Sequence, residues 1–132
     1  MATVQEEYEA FQQTWRPTQE KVEEAVRLAV EIARPSRIFL FGSWPRGEAK
    51  VESDLDLAVF LDDQPLAIAS ELEDRLLAAL DELSMSVDLV VATEETVAEF
   101  STSVNSIFSL ILREGKLVYE RSDRRESADA AA

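Results

Sequence analysis

The sequence predicts a single small α/β domain, and three observations carry that prediction. The 132 residues suit one compact core and leave little room for a second. Three short apolar runs of strand length are spread along the chain. Segments with apolar residues at helical spacing lie before, between and after them.

The elements follow in order. Between about Val4 and Ala33 there is no glycine, and Pro17 interrupts an otherwise helix-favouring stretch. Upstream of it, Tyr8, Phe11 and Trp15 recur at spacings of three and four, as on a short amphipathic helix whose aromatics serve the core or a partner surface. Downstream, Thr18 can cap a second helix with Val22, Ala25, Val26, Ala29, Val30 and Ala33 on its apolar face, and Pro35 ends it. Arg37-Ile38-Phe39-Leu40-Phe41 reads as a strand buried on both faces, and Leu55 to Leu61 as a second, interrupted by Asp56. Ile68, Leu72, Leu76, Leu77, Leu80 and Leu83 mark an amphipathic helix, and Val87 to Ala92 a third strand. From Thr93, a plausible cap, to about Arg113 one helix is predicted, with Ile107, Leu110 and Ile111 buried. Gly115 ends it, and Lys116 to Glu120 forms a last strand. The expected organisation is an N-terminal helical segment over residues 1–34, a core over 35–120, and a disordered tail over 121–132, which lacks apolar periodicity.

Composition narrows the chemistry. The chain has no cysteine and no histidine, so disulfides, imidazole bases, Ser/His/Asp triads and zinc sites of nitrogen and sulfur ligands are excluded. Any bound metal must sit on oxygen, the preference of hard cations such as magnesium. Thirteen basic residues against 27 acidic ones give a net charge of −14, which disfavours extended nucleic acid as a partner. A nucleotide carrying its own magnesium, or a basic protein, remains compatible, and acidity also serves solubility. No apolar run approaches the roughly 20 residues that span a bilayer. The opening MATVQEEYEA lacks the basic start and apolar segment of a secretory signal, so the expected location is cytoplasmic, with no membrane partner.

The informative segment is Gly42-Ser43-Trp44-Pro45-Arg46-Gly47, with Asp54-Leu55-Asp56 beyond it. Carboxylates two residues apart on a strand point to one side and can clamp one or two metal ions. A carboxylate among Leu, Ala, Val and Phe carries a desolvation penalty that a cation offsets. Gly42-Ser43 follows a buried strand directly. The glycine lets backbone approach a ligand, and the serine adds a hydroxyl and an amide for phosphate oxygens. Arg46 suits either a phosphate contact or a structural ion pair, and Lys50 a phosphate contact or, in preference, a solvated position. Asp88 breaks the third apolar run as Asp56 breaks the second. Three acids on neighbouring strands would suit two-metal catalysis.

This pattern resembles the polymerase-beta-type nucleotidyltransferase superfamily and, more narrowly, its minimal nucleotidyltransferase (MNT) family. The likeness rests on Phe41-Gly42-Ser43, Arg46-Gly47, Ser53-Asp54-Leu55-Asp56-Leu57, Val87-Asp88-Leu89 and Arg113-Glu114-Gly115, and spans about Ile38 to Glu120. Trp44-Pro45 is bulkier and stiffer than the small or basic residues expected in that loop. The resemblance implies a small mixed β-sheet flanked by helices, ATP or another nucleoside triphosphate as donor, and transfer of a nucleoside monophosphate to a hydroxyl. It implies that Asp54 and Asp56 ligate two magnesium ions, that Asp88 completes the ion activating the acceptor, and that Gly42 and Ser43, with Arg46, hold the triphosphate. Stand-alone members pair with a HEPN-family ribonuclease toxin, so the implied role is an antitoxin that transfers AMP to a toxin tyrosine. Two alternatives stand beside it: a small-molecule, aminoglycoside-type nucleotidyltransferase, and an antitoxin that acts by binding alone.

Overall fold

The structure, a computed structural model, describes residues 3–7, 17–42 and 54–123. The expected aromatic helix with Tyr8, Phe11 and Trp15 lies outside the described residues. So do Ser43, Trp44, Pro45, Arg46, Gly47 and Lys50 of the loop, and residues 124–132 of the expected tail.

The first long helix, α1 (Gln19–Ala33), starts where the Thr18 side chain accepts from the Lys21 amide at 3.2 Å. It stops at Arg34, which adopts a left-handed conformation (φ 47°) immediately before Pro35. Val22, Ala25, Ala29 and Ala33 form its buried stripe. Three of those four are alanines, so the helix backbone can lie close to the sheet.

Strands β1 (Arg37–Phe41), β2 (Leu55–Leu61), β3 (Val87–Thr93) and β4 (Lys116–Glu120) form one sheet in the order β3-β2-β1-β4. β1 runs antiparallel to both β2 and β4, while β2 and β3 are parallel, so the sheet is mixed as the family resemblance implied. The parallel pair is joined by the crossover helix α2 (Leu66–Asp81). Alternation along the strands separates two cores. Ile38, Leu40, Leu55, Leu57, Val59 and Leu61 face α1 and α2, where they meet Ala25, Ala29, Leu76 and Leu80. Phe39, Phe41, Ala58 and Phe60 face the other way, towards α3 (Glu94–Phe100) and α4 (Ile107–Glu114), and pack on Val97 and Ile111. Both faces of the central strands are therefore covered, which is why β2 reads as a nearly unbroken apolar run.

Two expectations need correction. The helix expected from Thr93 to Arg113 is two helices, α3 and α4. Thr93 does cap the first, accepting from the Thr96 amide, but Ser101-Thr102-Ser103-Val104-Asn105-Ser106 breaks the run. Ser101 and Thr102 hydroxyls donate to the Ala98 and Glu99 carbonyls, and Ser106 starts a new helix by accepting from the Ser109 amide. Such local side-chain bonds offer the backbone an alternative to helix, and here they win. The break turns α4 so that Ile111 is fully buried, whereas Ile107 and Leu110, expected inside, are 43% and 38% exposed. In α2 the buried stripe is narrower than its apolar sequence: Leu76 and Leu80 are buried, while Ile68 and Leu77 are each 44% exposed. No helix among the described residues is long and apolar enough to cross a membrane.

Past β4, residues 121–123, the first of the segment expected as a tail, are held by specific bonds. The Arg121 amide donates to the Ser36 carbonyl at 3.0 Å, and its guanidinium pairs with Asp62 at 2.7 Å.

Candidate active site

The site forms at one end of the parallel pair. Parallel register sets Asp56 of β2 directly beside Asp88 of β3, and neighbouring positions in a ladder present side chains to the same face. Asp54 lies one residue ahead of β2 and is exposed; Asp56 is partly buried and Asp88 exposed. On the other side of β2, Phe41 pairs with Asp56 in the antiparallel ladder, which delivers Gly42 next to that carboxylate. The structure thus brings together four of the residues singled out in the sequence: Gly42, Asp54, Asp56 and Asp88.

Gly42 meets two demands at once. Its φ of +74° is a left-handed conformation that side chains disfavour, and a methyl group placed there would overlap Asp56 Oδ2 and come within 3.0 Å of its Cγ. The backbone turn that leaves β1 therefore rests on the Asp56 carboxyl. Ser43 and Arg46 lie beyond it, outside the described residues.

The electrostatics are repulsive. Asp56 is pushed up to about 6, first by burial, next by the charge of Asp88 and a hydrogen bond with it, then by the charge of Asp54. Three acids within mutual influence, on a face otherwise built from Phe and Ala, form a focus of negative potential that a cation would relieve. Among the described residues no three acidic side chains are drawn together tightly enough to hold a metal ion unaided. The donor set still fits magnesium, which is usually held by one or two carboxylates and completes its shell with water and substrate phosphate oxygens. An anionic nucleotide could not approach these acids without such neutralisation.

One polar cluster escaped the sequence reading. The Arg37 guanidinium lies 5.4 Å from the ring centres of both Phe39 and Phe60, and its Nε and Nη2 donate to Glu94 at 2.9 and 2.7 Å. Ser36, fully buried, has its Oγ 2.8 Å from Glu94 and 3.0 Å from the Phe60 carbonyl, so its one proton is shared between two acceptors. The bonds to Glu94 join residues 57 and 58 apart in sequence, and no local motif announces them. They tie the start of β1 to the first turn of α3, at the end of β2 opposite the aspartates.

No curated protein sequence matches the chain. Among solved structures, a Sulfolobus solfataricus protein assigned as a nucleotidyltransferase superposes with a TM-score of 0.51 at 16% identity, over 77% of this chain and 79% of that one. A toxin–antitoxin structure with AMP-PNP gives a TM-score of 0.49 at 26% identity, covering 80% and 78%. A tri-AMPylated Shewanella oneidensis HEPN toxin in complex with its MNT antitoxin gives 0.42 at 24%, covering 82% and 74%. The family profile described as polymerase beta, nucleotidyltransferase matches residues 20–124, from α1 past β4, and so includes every strand and all four described site residues. The chain belongs to the polymerase beta nucleotidyltransferase family.

Proposed function

We propose that this chain is a magnesium-dependent nucleotidyltransferase that moves AMP from ATP onto a tyrosine hydroxyl of a cognate HEPN ribonuclease toxin, and so acts as its antitoxin. The observation that carries the catalytic part is the Asp56–Asp88 pair in direct register with Gly42 against the Asp56 carboxyl. The MNT-like sequence pattern and the net charge of −14 support the partner, since an RNA-cleaving protein needs a basic surface.

In this reading Asp54, Asp56 and Asp88 are the residues that would hold magnesium. Gly42, Ser43 and Arg46 receive the triphosphate. Bound magnesium would neutralise the triphosphate and lower the barrier to forming the acceptor oxyanion. The remaining task of the chain is positioning. The turn at Gly42 lays backbone, with no side chain in the way, where phosphate oxygens must pass the Asp56 carboxyl. Asp88, the exposed member of the pair, is open to an acceptor hydroxyl arriving from solvent, and its carboxylate takes the proton that the hydroxyl gives up. The acceptor oxygen forms a bond to the α-phosphorus while the bond from that phosphorus to the β-bridging oxygen breaks. Pyrophosphate leaves with the displaced electron pair, and AMP stays on the acceptor.

The test is incubation of the chain with ATP, magnesium and the product of the adjacent gene, followed by intact-mass spectrometry. A mass increase of one or more AMP groups on the partner, absent with Asp54→Ala/Asp56→Ala, is the expected result. An unmodified partner counts against transfer. If the double variant still neutralises the partner fully, binding alone accounts for the antitoxin effect.

A further inference from the structure

A groove on the α1/α2 side of the sheet, reaching the candidate site at Asp54, has walls that none of the roles above uses. It opens between the C-terminal end of α2 and the starts of β2 and β3, with a volume of about 270 Å³. Leu77, Leu80 and Met85 supply apolar wall, Ser86 a hydroxyl, and the carboxylates of Asp54 and Asp81 its charge. Among the described residues no basic side chain lines it.

Two considerations say what it does not take. Its volume falls below the roughly 300–1,000 Å³ typical of small-ligand clefts, too little for a nucleoside triphosphate. Its charge is also wrong for phosphate, because Asp81 has no ion-pair partner among the described residues. The donor nucleotide therefore belongs on the Gly42 side of Asp56.

Asp81 is out of place on stability grounds. It is the last residue of α2, the next is Glu82, and the last turn has no basic residue. Negative charge at a helix C-terminus opposes the helix dipole, so this end of α2 is electrostatically unfavourable as it stands. Leu77, one turn earlier, is 44% exposed at the same groove. A carboxylate beside exposed leucine fits a long basic side chain, whose alkyl stem lies along apolar surface while its head meets the charge. Asp54 places that arrangement next to the reacting centre.

We infer that this groove is the acceptor subsite and that it recognises a Lys or Arg lying next to the acceptor hydroxyl in the partner polypeptide, with Asp81 as the specificity-determining residue. The inference rests on the protein-acceptor reading above and extends it to the local sequence that surrounds the modified residue. The basic head pairs with Asp81, its stem covers Leu77 and Leu80, and the neighbouring hydroxyl is directed past Asp54 towards the Asp56–Asp88 pair.

The experiment uses the full chain, wild type and Asp81→Lys, with the product of the adjacent gene. Affinity is measured by calorimetric titration without ATP, and AMP transfer is followed at varied partner and varied ATP concentrations. Asp81→Lys is expected to weaken partner binding and raise the partner KM about 10-fold, as loss of a complementary charge does, with kcat and the ATP KM within about twofold. Its melting temperature should hold or rise, because a cation now sits at the helix C-terminus. Leu77→Ala, at a half-exposed position, should raise the partner KM in the same sense. Equal partner affinity for wild type and Asp81→Lys overturns the groove assignment, as does a change confined to the ATP KM. Tight partner binding by the wild type without AMP transfer strikes the proposed function and leaves the groove to the affinity comparison. No binding by the wild type overturns both.

Discussion

In Asp56→Asn a carboxylate is replaced by a neutral amide of nearly the same shape, at a place where burial and two neighbouring carboxylates oppose charge. The shift of Asp56 from 3.8 to about 6 is about 2 pK units, which has a ceiling of about 3 kcal/mol at 1.36 kcal/mol per unit. Asp56 is only partly buried, so solvent screening reduces this to about 1 kcal/mol of destabilisation by the ionised form. A pKa raised in the folded state means that the folded protein holds its proton more tightly than the unfolded chain. The penalty is therefore absent below about pH 3.8, grows between pH 3.8 and 6, and is complete above pH 6. In metal-free buffer at pH 7.5, Asp56→Asn should unfold about 4 °C higher than the wild type while losing nucleotidyl transfer. Thermal melts at pH 4 and pH 7.5 with a chelator present provide the measurement, and the gap between the two proteins should be small at the lower pH. An Asn variant that melts below the wild type at pH 7.5, or a gap that does not change with pH, would refute the electrostatic argument.

Adding magnesium or manganese should raise the melting temperature of the wild type, with the shift growing with concentration, and should do so much less for Asp56→Asn; differential scanning fluorimetry reads both. Gly42→Ala places a methyl group on the Asp56 carboxyl at a left-handed φ, so about 1–2 kcal/mol of stability should be lost in urea titration. Displacement of Asp56 should lower transfer by about 100-fold. Glu94→Ala removes the acceptor for Arg37 and Ser36 in a place where Arg37 is 17% exposed, and should destabilise by about 2 kcal/mol while leaving the ATP KM unchanged. Ser106→Ala deletes the cap that begins α4 and should lower stability by about 1 kcal/mol in the same titration.

The acidic residues of the site were legible because their signals are local. Asp56 and Asp88 each interrupt an apolar run, and burial of the run makes the interruption chemically expensive. What no local pattern could give is the pairing: that Asp56 stands beside Asp88, and not beside Val87 or Leu89, depends on the register of a parallel ladder set by α2 and the turn after it. The caps at Thr18, Thr93 and the stop at Gly115 were readable because each acts on its own few residues. The break between α3 and α4 had a visible cue in its run of serine, threonine and asparagine. Apolar periodicity at Ile107, Leu110 and Ile111 outweighed that cue, although two of those three are exposed. Arg37 and Glu94 lie far apart in sequence and on different elements, so their ion pair could only be found in three dimensions.

The two ends of β2 are built for different purposes. At the Phe60 end, the Ser36 amide and hydroxyl grip the carbonyl, and Arg37 and Glu94 close over the aromatic rings. At the Asp54 end, like charges push against one another. The strand is in this sense a cantilever, clamped at one end and loaded at the other. A cation and nucleotide arriving at the loaded end would remove the strain at its source, so stiffness there becomes a property conferred by the substrate.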